Sequence, residues 1–247
     1  MDMTCDPPLA RSAPDASIDH SHSIAYWTSV PSTDDGMLGG YPGVSRKDLV
    51  SSHAFLTKLR RGKTPGIKRD LPKLNRVADC GAGIGRITKG FLMDVAVKVD
   101  IVEPVKKFTD ELVAGLGPEE KGKMGEVFNL GLQDWTPKPG AYNLIWNQWC
   151  LGHLTDEQLV AYLRRCKDGL AKPSEEGESD DIWIVVKENM SPNKDDIYDE
   201  EDSSVTRTDT KFRKLFKEAG LKLVAEQVQK GFPSELFPVR MYALKSE

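Results

Sequence analysis

The sequence predicts an α/β protein: a seven-stranded, mostly parallel Rossmann-like sheet with helices on both faces, preceded by a helical extension. Three observations carry this. Apolar strand-like runs alternate with helical patterns through residues 73–247, the signature of βαβ units. Asp79-Cys80-Gly81-Ala82-Gly83-Ile84-Gly85-Arg86 lies between an apolar-leaning segment, 74–78, and a helical pattern of Ile87, Phe91 and Leu92. That is the strand, glycine turn and helix that open a nucleotide-binding unit. Val97-Lys98-Val99-Asp100-Ile101-Val102-Glu103 then reads as the next strand, ending in an acid roughly twenty residues after the turn, where a carboxylate can accept both hydroxyls of a ribose.

The elements follow in order. Residues 1–19, rich in Pro, Ser, Ala and Asp, read as a disordered tail. Residues 20–72 read as a helical extension: a helix over 24–29, a glycine-rich loop over 35–43, a helix with Leu49, Phe55, Leu56 and Leu59 at core-facing spacing, and a Lys/Arg/Pro/Gly linker over 61–72. Residues 73–247 form the αβ body. Strands are expected at 74–80, 97–103, 124–130 and 142–149, then a helix at 156–170. An acidic insertion at 173–181 reads as a surface loop, and 182–186 as a buried strand. The acidic run 195–202 reads alone as a solvated loop, unless a serine or threonine of 203–206 caps the next helix and fixes the acids over the crevice. A helix over 208–219 ends at Gly220. Strands at 221–228 and 238–244, with no helix between them, imply an antiparallel hairpin at one edge.

With 247 residues, the chain suits one α/β domain with an extension. The net charge of −4 and a pI near 5.7 argue against a nucleic-acid partner and suit a cationic substrate. No apolar run is long enough to span a bilayer and no signal peptide is apparent. The expected location is the cytoplasm, with a nuclear pool as a second expectation, and the expected state is a monomer. Cysteines at 5, 80, 150 and 166 show no C-x-x-C spacing and imply no zinc site. No metal role is expected of His20 and His22. The basic pairs Lys106-Lys107 and Arg164-Arg165 read as solvated helix faces.

In such a sheet the ligand crevice lies at the carboxyl ends of the strands. Leu132-Gln133-Asp134-Trp135 falls there after strand 3, where an adenine would lie. Asn147-Gln148-Trp149 ends strand 4, followed by Gly152-His153, and Lys187-Glu188-Asn189 ends strand 5. Strand 4 lacks the [D/N]-P-P-[Y/F/W] motif associated with amide acceptors. By alternation Trp146 and Trp149 face opposite sides of the sheet. An exposed tryptophan can pack against a cation or a proline ring.

The glycine turn departs from the dinucleotide pattern G-x-G-x-x-G, because Arg86 stands where the third glycine would fall. With Asp79 ahead of it, the order D-x-G-x-G-x-G resembles the first motif of class I S-adenosylmethionine-dependent methyltransferases. Over residues 26–244 the chain resembles the eukaryotic protein α-N-terminal methyltransferases, the fungal members most closely. Tyr26-Trp27, Asp35-Gly36-Met37-Leu38-Gly39-Gly40-Tyr41, residues 79–88, Gly131-Leu132-Gln133-Asp134, Gln148-Trp149, Gly152-His153-Leu154-Thr155-Asp156, Lys187-Glu188-Asn189 and Asp202-Ser203-Ser204-Val205 carry the resemblance.

The resemblance implies methylation of the free α-amine of proteins that begin X-Pro-Lys or X-Pro-Arg after Met removal, with X being Ala, Ser, Pro or Gly and ribosomal proteins typical substrates. It implies S-adenosylmethionine as methyl donor and S-adenosylhomocysteine as product. By position, Trp27, Gly81, Arg86, Glu103, Leu132, Gln133 and Gln148 would contact the cofactor. Met37, Gly39, Trp149, Asn189, Asp199, Asp202 and Ser204 would contact the peptide, with Phe237 standing where animal members carry a tyrosine. Glu103 replaces the aspartate of animal members. His153 and Asp202 are the candidate bases. An α-amine titrates near 7.7–8, so much of it is protonated at neutral pH and a base must remove the proton. A histidine near 6.5 suits that task, and an aspartate near 3.9 suits it only when its pKa is raised. The rival readings are a class I enzyme acting on a small-molecule amine or carboxylate, and a non-catalytic module that binds S-adenosylmethionine or protein N termini.

Overall fold

The computed structural model describes residues 13–62, 71–172 and 181–247. Strands β1 (Leu74–Cys80), β2 (Ala96–Val102), β3 (Met124–Phe128), β4 (Leu144–Gln148) and β5 (Trp183–Asn189) are followed by a separate hairpin, β6 (Ile197–Asp199) with β7 (Ser204–Thr206), and by β8 (Leu221–Val228) and β9 (Val239–Ser246). The main sheet has the order β3-β2-β1-β4-β5-β9-β8. The first five strands are parallel, and β9 is antiparallel to both its neighbours. The direction of winding reverses between β1 and β4, which leaves a crevice at their carboxyl ends.

The strands alternate between two cores. Ile145, Ile184 and Val186 pack on one face with Leu163, Phe212 and Tyr242. Trp146, Trp183 and Val185 pack on the other with Phe55, Phe91 and Leu112. Such near-continuous apolar runs are what a sheet covered on both faces requires. The covering helices are α1 (His20–Ser29), α2 (Asp34–Met37), α3 (Ser45–Arg61), α4 (Met93–Val95), α5 (Lys106–Ala114), α6 (Pro118–Lys123), α7 (Asp156–Gly169) and α8 (Asp209–Glu218). A π-helical turn, Thr88–Leu92, leads into α4.

Several expectations are corrected. Residues 13–19 belong to no disordered tail: Pro14–Ser17 forms a 3-10 turn, Asp15 accepts the Asp156 N–H at 2.8 Å, and Asp19 caps α1 by accepting the N–H groups of Ser21 and His22. The rest of that tail, residues 1–12, lies outside the described residues, as do 63–70 of the expected linker and 173–180 of the expected insertion. Asp181 is buried and takes the Arg60 guanidinium at 3.0 Å, which anchors α3 to the sheet. The expected third strand stops at Phe128, because Asn129 turns its amide to the Glu103 carbonyl and the Thr109 hydroxyl. Strand β4 starts at Leu144, and Tyr142 makes only an isolated bridge to Leu170. Strand β5 continues to Asn189, since β9 offers Met241, Arg240 and Val239 as ladder partners. The segment after it is a hairpin instead of an open loop, and Thr208 caps α8 in place of a residue of 203–206.

Candidate active site

A cavity of about 690 Å³ opens at the sheet's reversal point. Its cofactor side is built from the glycine turn. Gly81 has φ 70°, and a Cβ there would lie 2.4 Å from Cβ of Cys150. Gly85 has φ 78°, and its Cβ would meet Leu112 at 2.2 Å. Neither position admits a side chain. Glu103 ties the next strand to this turn. Its two carboxylate oxygens accept the N–H groups of Gly83 at 2.9 Å and Val105 at 2.8 Å. Each oxygen keeps a lone pair for one ribose hydroxyl. Burial pushes this carboxyl up to about 7. Asp79, fully buried and bonded by the Thr88 hydroxyl, is pushed up to about 6 for the same reason. Beyond strand β3, Arg165 donates to the carbonyls of Leu132, Gln133 and Trp135, and so fixes the segment that would face an adenine.

Beneath the glycine turn lies a buried polar hub. Asp48, on α3, receives the Lys187 ammonium, the Gln148 amide nitrogen, which lies 2.9 and 3.0 Å from its two oxygens, and the Arg86 guanidinium at 2.6 Å. Lys187 also donates to Ser52 at 3.0 Å, and burial lowers its pKa. The hub joins the extension, the glycine turn, β4 and β5. The Gln148 amide is engaged on both sides, since its oxygen accepts the Trp146 indole N–H at 3.0 Å.

The acceptor side centres on Trp149, His153 and Asp202. Trp149 has φ 53°, a left-handed conformation that a bulky residue adopts only when its surroundings enforce it. The Arg86 guanidinium lies 5.5 Å from its ring centroid. His153 is held from α1: its Nδ1 bonds the Ser23 hydroxyl at 2.9 Å, and its Nε2 accepts the Trp27 indole N–H at 3.3 Å. This network assigns the proton to Nδ1. Burial lowers the pKa of His153, against an opposing pull from Asp202, so the ring is neutral at pH 7. Oδ2 of Asp202 stands 3.9 Å from Nε2, and Oδ1 is buried with no hydrogen-bond partner. A buried carboxylate oxygen left open at a cavity wall is suited to a cationic donor. Arg207, fully buried, donates to the carbonyls of Leu151 and Leu154 and to Asp156, and so locks the His153 turn onto the hairpin.

The cavity wall brings together Trp27, Gly81, Arg86, Glu103, Leu132, Gln133 and Gln148 on the cofactor side. It brings together Met37, Gly39, Trp149, His153, Asn189, Asp202, Ser204 and Phe237 on the acceptor side. Asp199 does not reach it: that residue is exposed at the hairpin turn, where it accepts the Glu201 N–H at 2.9 Å. Its charge is still felt, because Asp199, Glu201 and Asp202 together help burial raise the pKa of Tyr26. Trp146 is fully buried, and Trp149, placed by the left-handed turn after β4 and not by strand alternation, lines the cavity. Among the residues read as solvated, Lys107 donates to the carbonyls of Thr28 and Val30 at the end of α1, and Arg165 holds the adenine-side segment. Sequence reasoning missed Ser23, Asp48 and Ser52. A signal existed for two of them: Asp48 and Ser52 continue the buried stripe of Phe55 and Leu56 along α3.

A cavity at the switch point, a glycine turn closed to side chains, and a buried carboxylate with two open lone pairs fit S-adenosylmethionine, and define a class I methyltransferase that uses it. Structural relatives agree. The fold superposes on a Leishmania major S-adenosylmethionine-dependent methyltransferase with TM-score 0.78 and 35% identity, covering 91% of this chain and 82% of that one. A Burkholderia thailandensis 1,6-didemethyltoxoflavin-N1-methyltransferase, 18% identical, shares the fold with TM-score 0.67 over 98% and 94% of the two chains. The chain belongs to the AdoMet dependent proline di-methyltransferase family, whose model matches residues 15–245. It is 46% identical to alpha N-terminal protein methyltransferase 1 of Schizosaccharomyces pombe, over 91% of this chain and 95% of the relative. It is 41% identical to N-terminal Xaa-Pro-Lys N-methyltransferase 1 of Mus musculus, over 92% and 95%.

Proposed function

We propose that this enzyme transfers methyl groups from S-adenosylmethionine to the free α-amine of proteins beginning X-Pro-Lys or X-Pro-Arg after Met removal, X being Ala, Ser, Pro or Gly. The observation that carries the reading is Asp202, which lines the cavity with its Oδ2 3.9 Å from a neutral His153 and its buried Oδ1 without a partner. Ribosomal proteins are the expected substrates. The reading implies action as a monomer in the cytoplasm, where new chains lose Met, with a nuclear pool beside it.

When bound, the cofactor supplies an electrophilic methyl on a sulfonium. Glu103, Gly81, Arg86, Leu132, Gln133, Gln148 and Trp27 would hold it. The chain's own work is positioning and proton removal. Asp202 binds the α-ammonium and aims its nitrogen along the cavity. The proton leaves to Asp202 or to His153, whose Oδ2 and Nε2 stand 3.9 Å apart. The Trp149 ring offers a flat face to the proline, whose missing N–H leaves no donor to satisfy there. The carboxylates of the hairpin turn attract the basic third residue.

The reading is tested with a peptide series monitored by mass spectrometry. Ala-Pro-Lys peptides should be methylated. Replacing Lys by Glu sets a carboxylate against carboxylates and should remove most activity. A free amino acid or small amine turned over as well as the peptide would favour a small-molecule enzyme instead.

A further inference from the structure

The mechanism leaves Glu188 unused. This carboxylate is buried at the end of β5, and one oxygen, Oε1, accepts both the Cys150 N–H and the Leu151 N–H at 2.9 Å. Those are the two peptide groups that follow Trp149. The N–H of Trp149 itself donates to the carbonyl of Lys187 at 3.1 Å, the residue before Glu188. Three consecutive N–H groups therefore end on two consecutive residues of β5. The Cys150 thiol, bonded to the Cys80 carbonyl at 3.2 Å, pins the same turn to β1. Between these restraints Trp149 keeps φ 53°. Strain of this kind persists only where the surroundings over-determine it. Without an acceptor for the two buried N–H groups, the turn would gain by relaxing, and the indole would leave its place in the cavity wall.

We propose that Glu188 is a positioning residue that clamps the turn after β4, holds Trp149 in its left-handed conformation, and thereby sets the preference for proline at the second position of the acceptor. This rests on the X-Pro-Lys reading above. Glu188 itself lines the cavity, but its Oε1 is taken up by the two N–H groups, and it acts on the acceptor through Trp149.

The test compares Glu188→Met, which fills similar volume but cannot accept the N–H groups, with Glu188→Gln, which can. kcat and KM are measured on Ala-Pro-Lys and Ala-Ala-Lys peptides, and affinity for S-adenosylhomocysteine is measured by calorimetry. The ratio of kcat/KM between the two peptides should fall about tenfold in Glu188→Met, mostly through KM for the proline peptide. Glu188→Gln should keep the ratio within about threefold of wild type, and both variants should bind S-adenosylhomocysteine within about threefold of wild type. If Glu188→Met does not fold, Glu188→Leu, which likewise offers the two N–H groups no acceptor, serves the same comparison. A wild-type ratio retained in the folded variant without an acceptor, or an equal loss in Glu188→Gln, overturns the proposal. A wild-type enzyme that does not distinguish the two peptides overturns the X-Pro-Lys reading itself, and the clamp has then no selectivity to explain.

Discussion

The cofactor half and the acceptor half of the cavity are built from different contacts. The cofactor half is local: a turn of eight residues, 79–86, and a carboxylate on the adjoining strand that reaches back to Gly83. Its restraints are the close approaches of Cys150 and Leu112 to the glycines and the two N–H groups that Glu103 accepts. The acceptor half is assembled from distant segments. Ser23 and Trp27 come from α1, His153 from the turn after β4, and Asp202 from the hairpin, and the contacts that tie α1 to His153 span 126 and 130 positions of sequence. The comparison teaches that the two functions are separable. Damage to the hairpin should disarm the acceptor side and leave the cofactor bound.

The sharpest separation is expected at the amine. Asp202→Asn keeps the shape but loses the charge, and His153→Ala loses the proton acceptor. Each should lower kcat by roughly 10²–10⁴-fold. Calorimetry with S-adenosylhomocysteine should find affinity within a few-fold of wild type. A loss of cofactor binding of similar size would join the two halves and break the comparison.

The converse change is Glu103→Ala. Losing two charge-assisted hydrogen bonds should weaken S-adenosylmethionine binding by on the order of 2–4 kcal/mol while the fold survives. The pH dependence sharpens this. With its pKa raised to about 7, Glu103 becomes a full acceptor as pH rises, so affinity should increase about tenfold from pH 6 to pH 8. Glu103→Gln should flatten that rise. Stability runs the other way. Glu103 and Glu188, both pushed up to about 7, and Asp79, pushed up to about 6, hold protons that the unfolded chain has released. Their contribution is fully present below the unfolded pKa values near 4 and is lost as pH rises through 6 to 7. Urea unfolding of the cofactor-free protein at pH 5.5 and 7.5 measures it, and the midpoint should drop at the higher pH if these three groups dominate.

A smaller effect is expected at the start of α1. Asp19→Ala removes an N-cap, worth about 1 kcal/mol. Thermal unfolding should show a few degrees of loss. KM for the peptide should rise, because α1 carries the partners of His153.

The same division explains what could be read from the sequence. The glycine turn and Glu103 were legible because their chemistry sits in one short stretch at fixed spacing. Strands β1 and β8 were legible to the residue from their apolar pattern. Asp48 was not, because its partners Arg86, Gln148 and Lys187 lie 38, 100 and 139 positions away, and an acid in a helix ordinarily reads as solvated. Lys187 carried a partial signal: a charge that continues a buried strand needs a buried counter-ion. The docking of residues 13–19 had no local signal, since it depends on Asp156, Tyr198 and Ser203, all far along the chain. Asp199 shows the opposite error. The family resemblance places it with Asp202 at the peptide, but the hairpin turn sends its carboxylate to the Glu201 N–H.

The central claim is that the acceptor is an α-amine, held by Asp202 and reached through a mouth that a protein terminus can enter. The most direct measurement compares a free Ala-Pro-Lys peptide with the same peptide acetylated at its terminus, both incubated with enzyme and S-adenosylmethionine, with the methylated atom located by fragment mass spectrometry. Methyl groups should accumulate on the terminal nitrogen of the free peptide, and the acetylated peptide should remain unmodified with its lysine side chain intact. Methylation of that lysine in the acetylated peptide would contradict the account and make the protein a side-chain methyltransferase.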